Sequence, residues 1–134
     1  MTQEDKQLLL KDLCARLPYG VRYRHLAWDD EHGEDYIAAK IYSINSDGYV
    51  KNSYDDETVY IDDVRPYLFP LSSLTEEQYD QLYIDSRVKN DSIDILDALA
   101  NDMDAIDWLN KNHFDYRNLI DKNLAIDAAG LNIY

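Results

Sequence analysis

VRYRHLAWDDEHGEDYIAAKIYSINSDGYVKNSYDDETVYIDDV, residues 21–64, is the stretch that decides the fold. Apolar and polar side chains alternate along it with a period of two, and β-branched and aromatic residues are frequent, which is typical of strands with one buried face. In the first strand Val21, Tyr23 and His25 alternate with Arg22, Arg24 and Leu26. The stretch therefore predicts an antiparallel meander.

The rest of the meander follows from the same alternation. Ile37, Ala39 and Ile41 are predicted to share one face of the second strand. Residues 45–48, NSDG, supply a hairpin turn, because Gly48 tolerates a positive φ. Two more strands are expected near 48–53 and 57–61. Four antiparallel strands in so short a span predict either a curled sheet or a partial barrel.

A helix is predicted before the meander, over residues 1–17. Thr2 can cap it, and an apolar stripe at i, i+3, i+4 and i+7 consists of Leu10, Leu13, Cys14 and Leu17. Cys14 is therefore expected to be a buried, unreactive side chain. Pro18 and Gly20 end the helix.

A helical half is predicted after the meander, over residues 74–124. Pro66 and Pro70 bracket an extended crossing, and Thr75 then fits an N-cap with Gln78 three residues on. A second helix is expected over about 92–112. A third, short helix is capped by Asp115 and ends with Asn123 in the left-handed position. Residues 125–134 are expected to form a fraying tail.

These elements predict one α+β domain over residues 1–134. It consists of an N-terminal helix, a four-stranded antiparallel meander and two to three C-terminal helices. The 134 residues, 46% of them hydrophobic, are enough for one core, and no repeat or Pro/Gly/Ser linker divides them.

The charge balance limits the partners. The chain has 27 acidic residues against 13 basic ones, a formal net charge of −14. Such a surface repels nucleic-acid backbones and anionic membranes, so direct nucleic-acid binding is not expected. A basic protein partner is expected instead. No apolar run approaches the roughly 20 residues of a membrane span. A single cysteine and no secretory signal pattern favour the cytoplasm.

Two features are candidate partner-binding surfaces. Asp94, Asp97, Asn101 and Asp104 fall on one face of the predicted long helix and could imitate a row of phosphates, although a solvated helix face gives the same pattern. Twelve tyrosines against two phenylalanines form the second feature. Those in or near the meander are Tyr36, Tyr42, Tyr49, Tyr54 and Tyr60. They are either half-buried strand residues or an exposed aromatic surface suited to a protein or, beside Arg22, Arg24, Lys40 and Lys51, to a nucleotide.

Motifs for catalysis are absent from the sequence. No nucleophile elbow, phosphate-binding glycine loop or paired metal-binding histidines occur, so no catalytic residue, cofactor or metal site is predicted and an enzyme is not expected. The acidic loop 29–35 could wrap a hard cation, but it lacks the alternating spacing of a calcium loop. His113, Asp115 and Tyr116 mark a possible pocket at a break between helices.

Three segments occur in order: MTQEDKQLLLKDLCARLPYGV at residues 1–21, VRPYLFPLSSLTEEQ at 64–78 and DWLNKNHFDYRNLIDKNLAIDA at 107–128. Together they resemble uncharacterised small proteins of phages, prophages and mobile elements of gut Bacteroidales. Residues 22–63 carry no such resemblance. The family implies a setting, a phage-infected bacterial cytoplasm, and it implies no activity, cofactor or catalytic residue.

The sequence thus favours a non-enzymatic, acidic protein-interaction module of phage or mobile-element origin. Its finer form is an inhibitor that mimics nucleic acid and occupies a basic groove of a host or defence protein. The first alternative is a protein that binds or sequesters a nucleotide or small molecule through the tyrosine-rich sheet. The second alternative is a hydrolase or metalloenzyme that uses the loop 29–35.

Overall fold

The structure is a computed structural model and describes residues 1–31, 33–81 and 103–134. Its helices are α1 (Gln3–Arg16), α2 (Glu76–Gln81) and α3 (Met103–Lys111). Its strands are β1 (Arg22–Asp29), β2 (Gly33–Ile44), β3 (Tyr49–Asn52), β4 (Thr58–Tyr60), β5 (Tyr67–Pro70), β6 (Phe114–Asp115) and β7 (Ile126–Asp127). The fold class is α+β, as predicted.

The predicted meander is confirmed. β1 to β4 form one antiparallel sheet in chain order, which curls into a half-barrel. Tyr23, Ala39 and Val50 are buried on its inner face, and Gly48 has a φ of 88° in the turn before β3. The pairing of β2 with β3 shifts between Ile41 and Ser43, and such a bulge bends the sheet further.

Helix α1 packs against this sheet, and its N-cap is confirmed. The Thr2 hydroxyl accepts the Asp5 N–H at 3.1 Å. The predicted buried stripe, however, is wrong in part. The buried residues are Leu9, Asp12, Leu13 and Arg16. Cys14 is exposed, because the buried Asp12–Arg16 ion pair turns the helix so that Cys14 points to solvent.

A second, three-stranded sheet was not predicted. The extended crossing forms β5, which lies between β6 and β7 and is parallel to both. Tyr23 bridges Pro66 in antiparallel fashion, and the Arg24 N–H donates to the Arg65 carbonyl at 3.2 Å. The start of the crossing therefore ties the second sheet to the edge of β1.

The C-terminal half differs from the prediction of two to three helices. The described residues contain short α2, one C-terminal helix, α3, and the small parallel sheet. The capping box before α2 is confirmed, since the Thr75 N–H donates to Gln78 Oε1 at 2.8 Å and the Gln78 N–H to Thr75 Oγ1 at 3.2 Å. The predicted start of the long helix, near residue 92, lies outside the described residues.

The third predicted helix, 115–123, is wrong. These residues form the end of β6 and a series of turns, because Asn118 has a φ of 64° and interrupts a helix. The two residues predicted to begin and end this helix nevertheless have the predicted local geometry. The Asp115 carboxylate accepts the N–H groups of Leu119 and Ile120, and Asn123 has a φ of 61°. A single capped turn replaces the helix.

The fraying of residues 125–134 is also wrong. Ala125 and Ala128 are buried, and β7 pairs with β5. The Tyr134 hydroxyl accepts the Arg22 N–H at 2.9 Å and donates to the Tyr67 carbonyl at 2.8 Å. The last segment is therefore part of the second sheet.

Among the described residues, no helix is long and apolar enough to cross a bilayer.

Candidate functional site

The outward side chains of β1, β2 and β3 form an aromatic surface, here called the outer face. Its members are Arg24, Leu26, Trp28, Tyr36, Lys40, Tyr42, Tyr49 and Lys51. Trp28 is 67% exposed and Tyr36 57%. Tyr42 and Tyr49 are also exposed, and Tyr54 is exposed in the turn after β3. The structure therefore supports the exposed surface for these four tyrosines, whereas Tyr60 is partly buried against the core, as in the half-buried interpretation.

Basic side chains share the outer face with the aromatic rings. The Arg24 guanidinium lies 4.6 Å from the centre of the Tyr36 ring, within cation–π range. Lys40 is exposed on β2, and Lys51 is partly exposed on β3. An aromatic and locally basic surface therefore lies on a protein whose overall charge is strongly negative.

A cleft of about 630 Å³ lies on the open side of the half-barrel, where edge strands β1 and β4 do not pair with each other. Residues of both edges line it: Tyr23, Arg24, His25, Leu26 and Trp28 of β1, and Val59 of β4. Its charged lining consists of Glu34, Glu57, Asp62, Asp63, Arg24 and Arg65. Acidic side chains thus outnumber basic ones in the cleft.

His25 is a buried polar side chain on the β1 side of this cleft's lining. It is 4% exposed, and its Nε2 lies 2.9 Å from Asp55 Oδ2 and 3.6 Å from Glu57 Oε2. Its Nδ1 lies 3.2 Å from the Tyr23 hydroxyl. Strand alternation directs His25 inward, and the β3–β4 turn brings the two carboxylates to it.

The hydrogen bonds around His25 have one consistent direction. Asn52 Oδ1 accepts the N–H groups of Tyr54 and Asp55, so the Asn52 amide nitrogen faces the Tyr23 hydroxyl and donates to it at 2.9 Å. The Tyr23 O–H then donates to Nδ1 of His25, which is the acceptor left within reach. His25 is therefore the Nε2–H tautomer and donates to Asp55.

The same hydrogen bonds affect the pKa of Asp55. Burial acts to raise this pKa, but the bonds from the His25 ring and the Glu57 N–H outweigh burial and hold it below the ordinary value of 3.8. Asp55 is thus an ionised acceptor at neutral pH. It fixes the β3–β4 turn against the inner face of β1.

A metal ion is the other group that this triad could hold. The ligand atoms of His25, Asp55 and Glu57 lie within 4.8 Å of one another, and this is the one such group in the part of the chain that the structure describes. An ion on Nε2 would move the imidazole proton to Nδ1 and leave the buried Tyr23 hydroxyl without an acceptor. That loss costs about 1–3 kcal/mol, so the observed network favours a hydrogen-bonded histidine.

The acidic loop 29–35 does not gather into a cation site among the described residues. Glu34 and Asp35 lie in β2 and point to opposite sides of the strand. Asp30 accepts the Trp28 indole N–H at 3.1 Å, and Asp35 accepts the Tyr36 N–H at 2.8 Å. These carboxylates stabilise the hairpin and its exposed aromatic residues. His32 lies outside the described residues.

The predicted pocket at His113, Asp115 and Tyr116 is divided in the structure. His113 lines a cavity of about 490 Å³ with Phe69, Phe114 and Tyr134, whereas Asp115 and Tyr116 line a separate one of about 190 Å³. Asp115 is occupied as a cap, and the Tyr116 hydroxyl donates to Asn110. The two residues therefore hold the fold at this point.

His113 is buried in an unusual state. It has a φ of 63°, its ring stacks on Tyr134 at 3.8 Å, and its Nδ1 has no hydrogen-bond partner among the described residues. Burial, with the nearby charges of Arg16 and Arg22, lowers its pKa from 6.5 to about 4. His113 is consequently neutral at physiological pH.

Of the acidic residues predicted to lie along one face of the long helix, the structure describes only Asp104. Asp104 lies in α3, whereas Asp94, Asp97 and Asn101 lie outside the described residues. The row therefore stays a prediction.

Sequence reasoning missed the group at His25, Asp55 and Glu57. His25 and Asp55 are far apart in the chain, and no spacing motif connects them. The available signal was the inward position of His25 in a strand, together with the acidic turn DDE at residues 55–57. Only the curl of the sheet brings the two together.

Comparisons with protein-family models, with curated proteins and with solved structures give no match for this chain.

Proposed function

We propose that this chain is a non-enzymatic protein-interaction module that binds a protein partner through the outer face. The observation that carries this proposal is the exposure of Trp28, Tyr36, Tyr42 and Tyr49 on one side of a well-packed sheet. Large exposed aromatic side chains on neighbouring strands give contact area at a low entropic cost, and they are enriched in interface hot spots. Arg24, stacked on Tyr36, adds a third residue type that interfaces favour.

Acidic side chains at the cleft, which also contains Arg24, Trp28 and Tyr36 of the outer face, form a rim that indicates the charge of the partner. Asp55, Asp56 and Glu57 follow β3, and Asp62 and Asp63 follow β4, all of them exposed. With the net charge of −14, they favour a partner whose contact surface is basic around an apolar centre. Such binding weakens as salt screens the rim, while the aromatic contacts persist.

Two polar groups, His25 in the cleft and Asp115 in the C-terminal half, support a binding role over a catalytic one. His25 donates to Asp55, and Asp115 accepts three backbone N–H groups. Each group serves a structural contact in the described part of the chain. The proposed setting, from the resemblance of three segments, is a bacterial cytoplasm that contains a phage or mobile element, where an acidic module could occupy a basic groove of a host or defence protein.

The test is a comparison of variants in an affinity capture from a bacterial lysate, at low and high salt. Tyr36→Ser and Tyr42→Ser each remove an exposed ring from the outer face, and Tyr19→Ser removes an exposed tyrosine elsewhere as a matched control. We expect the captured protein to be lost with both outer-face variants and kept with the control. Equal capture by all three variants would contradict the proposal.

Nucleotide binding is the second candidate, and one observation favours it. Arg22, Arg24, Lys40 and Lys51 all project from the side of the sheet that carries Tyr36 and Tyr42. Rings and cations on one surface can stack a base and pair with its phosphates. A rise in melting temperature with ATP or GTP that Tyr36→Ser abolishes would support this candidate, and no rise across a nucleotide panel would exclude it.

A further inference from the structure

We infer that the free edge of β1 accepts an extended segment of the protein partner as an additional antiparallel strand, with basic and apolar residues alternating along it. This inference rests on the proposed function and specifies how part of the partner binds. The edge in question is the stretch from Leu26 to Trp28, at the cleft.

The backbone of this edge is available for pairing. The Val21 carbonyl accepts from β2, whereas the Arg22 and Arg24 N–H groups bond away from β2, to Tyr134 and Arg65. Because backbone groups of alternate residues point to opposite sides of a strand, the N–H and C=O groups of Leu26 and Trp28 also point away from β2. No strand within residues 1–31, 33–81 and 103–134 pairs with them there.

The chain already begins such a pairing with its own residues. Tyr23 bridges Pro66, and Arg24 donates to Arg65, in antiparallel fashion. The chain then leaves the edge, because the preceding residues, Ile61–Asp63, form a 3₁₀ helix. An incoming strand would continue the ladder where residue 65 stops. Free edges of this kind are templates for strand addition.

The surfaces on the two sides of this edge determine which types of side chain the incoming strand would carry on each of its faces. Leu26 and Trp28 point outward, 43% and 67% exposed, so the neighbouring outward residues of the new strand would meet an apolar surface. On the inner side, His25 contacts the carboxylates of Asp55 and Glu57. Inward residues of the new strand would therefore face acid.

Charge complementarity makes the inward residues basic. Glu57, Asp62 and Asp63 line the cleft, and within that lining only Arg24 and Arg65 oppose them. The structure thus selects a strand in which lysine or arginine alternates with valine, leucine or an aromatic residue. An acidic segment or a helix would satisfy neither side of the edge.

The first experiment uses the whole protein and the peptide Ac-KVKVKVK-amide. We expect amide exchange at Leu26 and Trp28 to slow by about tenfold or more at saturating peptide, because each N–H must break a new hydrogen bond before it exchanges. In antiparallel pairing the valines lie beside Leu26 and Trp28 and direct their own N–H groups at β1. The peptide N-methylated at its valines should therefore not bind, whereas N-methylation at its lysines should be tolerated.

Two further controls separate strand addition from general attraction. Ac-EVEVEVE-amide should not bind. Leu26→Pro removes one edge N–H without breaking the β1–β2 ladder and should abolish the exchange effect, and Leu26→Val should retain it. If Leu26→Pro does not fold, the two N-methylated peptides decide the matter.

Equal binding of both N-methylated peptides, or unchanged exchange at Leu26 and Trp28, would overturn the inference. This outcome is separable from failure of the proposed function. If capture of the partner still depends on Tyr36 and Tyr42, the module stands and only the mode of binding is wrong.

Discussion

Arg16 and Asp12 lie one turn apart on α1 and form an ion pair in which both side chains are completely buried. The Arg16 guanidinium meets Asp12 at 2.9 and 3.2 Å and also donates to the carbonyl groups of Leu109 and Phe114. Arg117 contacts the same carboxylate at 3.2 Å. One buried cation therefore connects α1, α3 and β6.

Removing this cation should cost more stability than any exposed substitution. Arg16→Met leaves the buried Asp12 carboxylate with Arg117 alone and leaves two carbonyl groups without their donor. Since breaking a buried pair strands a charge, we expect a loss of roughly 3–5 kcal/mol in the free energy of unfolding, measured by urea denaturation. Lys11→Met, on the exposed side of α1, is the matched control and should change it by less than about 0.5 kcal/mol. A loss below about 1 kcal/mol for Arg16→Met would contradict this account.

The hydrogen-bond direction at His25 can be read by NMR. We expect the nitrogen shifts of the imidazole at neutral pH to show protonation at Nε2, since Tyr23 donates to Nδ1. Tyr23→Phe removes both hydrogen bonds of the hydroxyl and leaves the Asn52 amide unpaired, so unfolding should become easier by about 1–3 kcal/mol. Protonation at Nδ1 instead, together with tight zinc binding, would reverse our assignment in favour of a metal site.

The Tyr134 hydroxyl should contribute measurably to the free energy of unfolding. Tyr134→Phe keeps the ring stacked on His113 but leaves the Arg22 N–H and the Tyr67 carbonyl unpaired. We expect a loss of about 1–2 kcal/mol and faster exchange of the Arg22 amide. Tyr54→Phe, at a 60% exposed side chain, should leave the stability unchanged. If both variants unfold at the same urea concentration, the hydroxyl has no such role.

The lowered pKa of His113 predicts how the free energy of unfolding depends on pH. Its pKa is about 4 in the folded protein and near 6.5 when unfolded, so between these values the unfolded chain binds the extra proton. Stability is therefore full above pH 6.5 and falls as the pH drops towards 4, by about 3 kcal/mol in all for a shift of this size. Asp55, with its lowered pKa, adds a separate loss only below about its ordinary value of 3.8.

The measurement is urea denaturation from pH 7.5 to pH 4 for the natural chain and for His113→Gln. The natural chain should lose stability over this range, and the variant should lose less, because it has no group to protonate at this position. Parallel pH curves for the two proteins would show that His113 does not carry the effect.

Local patterns predicted the meander well. Alternation in β1 and β2 and the turn NSDG at residues 45–48 are short-range signals, and the register of the sheet follows from which side must be buried. The same local logic failed at Cys14, because the buried face of α1 depends on partners of Arg16 that lie far away in the chain. The second sheet was missed for the same reason, since two-residue strands such as β6 and β7 have no periodicity of their own.

The sequence allowed the exposed tyrosines of the candidate site to be predicted, but not the cleft or the contacts within it. The exposed positions of Tyr36 and Tyr42 follow from strand alternation, once Ile37, Ala39 and Ile41 are assigned to the core. The cleft, the free edge of β1 and the contact of His25 with Asp55 depend on the curl of the sheet, which alternation does not determine. Neighbouring positions in the chain also did not predict that His113 and Tyr116 line different cavities.

The central position of β5 also determines the order in which the molecule can be completed on the ribosome. Phe69 pairs with Phe114 and Tyr67 with Ile126, so β5 must wait for two segments that are synthesised long after it. The ladders of the meander join neighbouring strands and can form early because they close short loops, but its inner face shares a core with Leu119, Leu124 and Ala125. Strand pairing in the meander can thus precede the burial of its inner face, which is complete only when the segment around Leu119 and Leu124 has been synthesised.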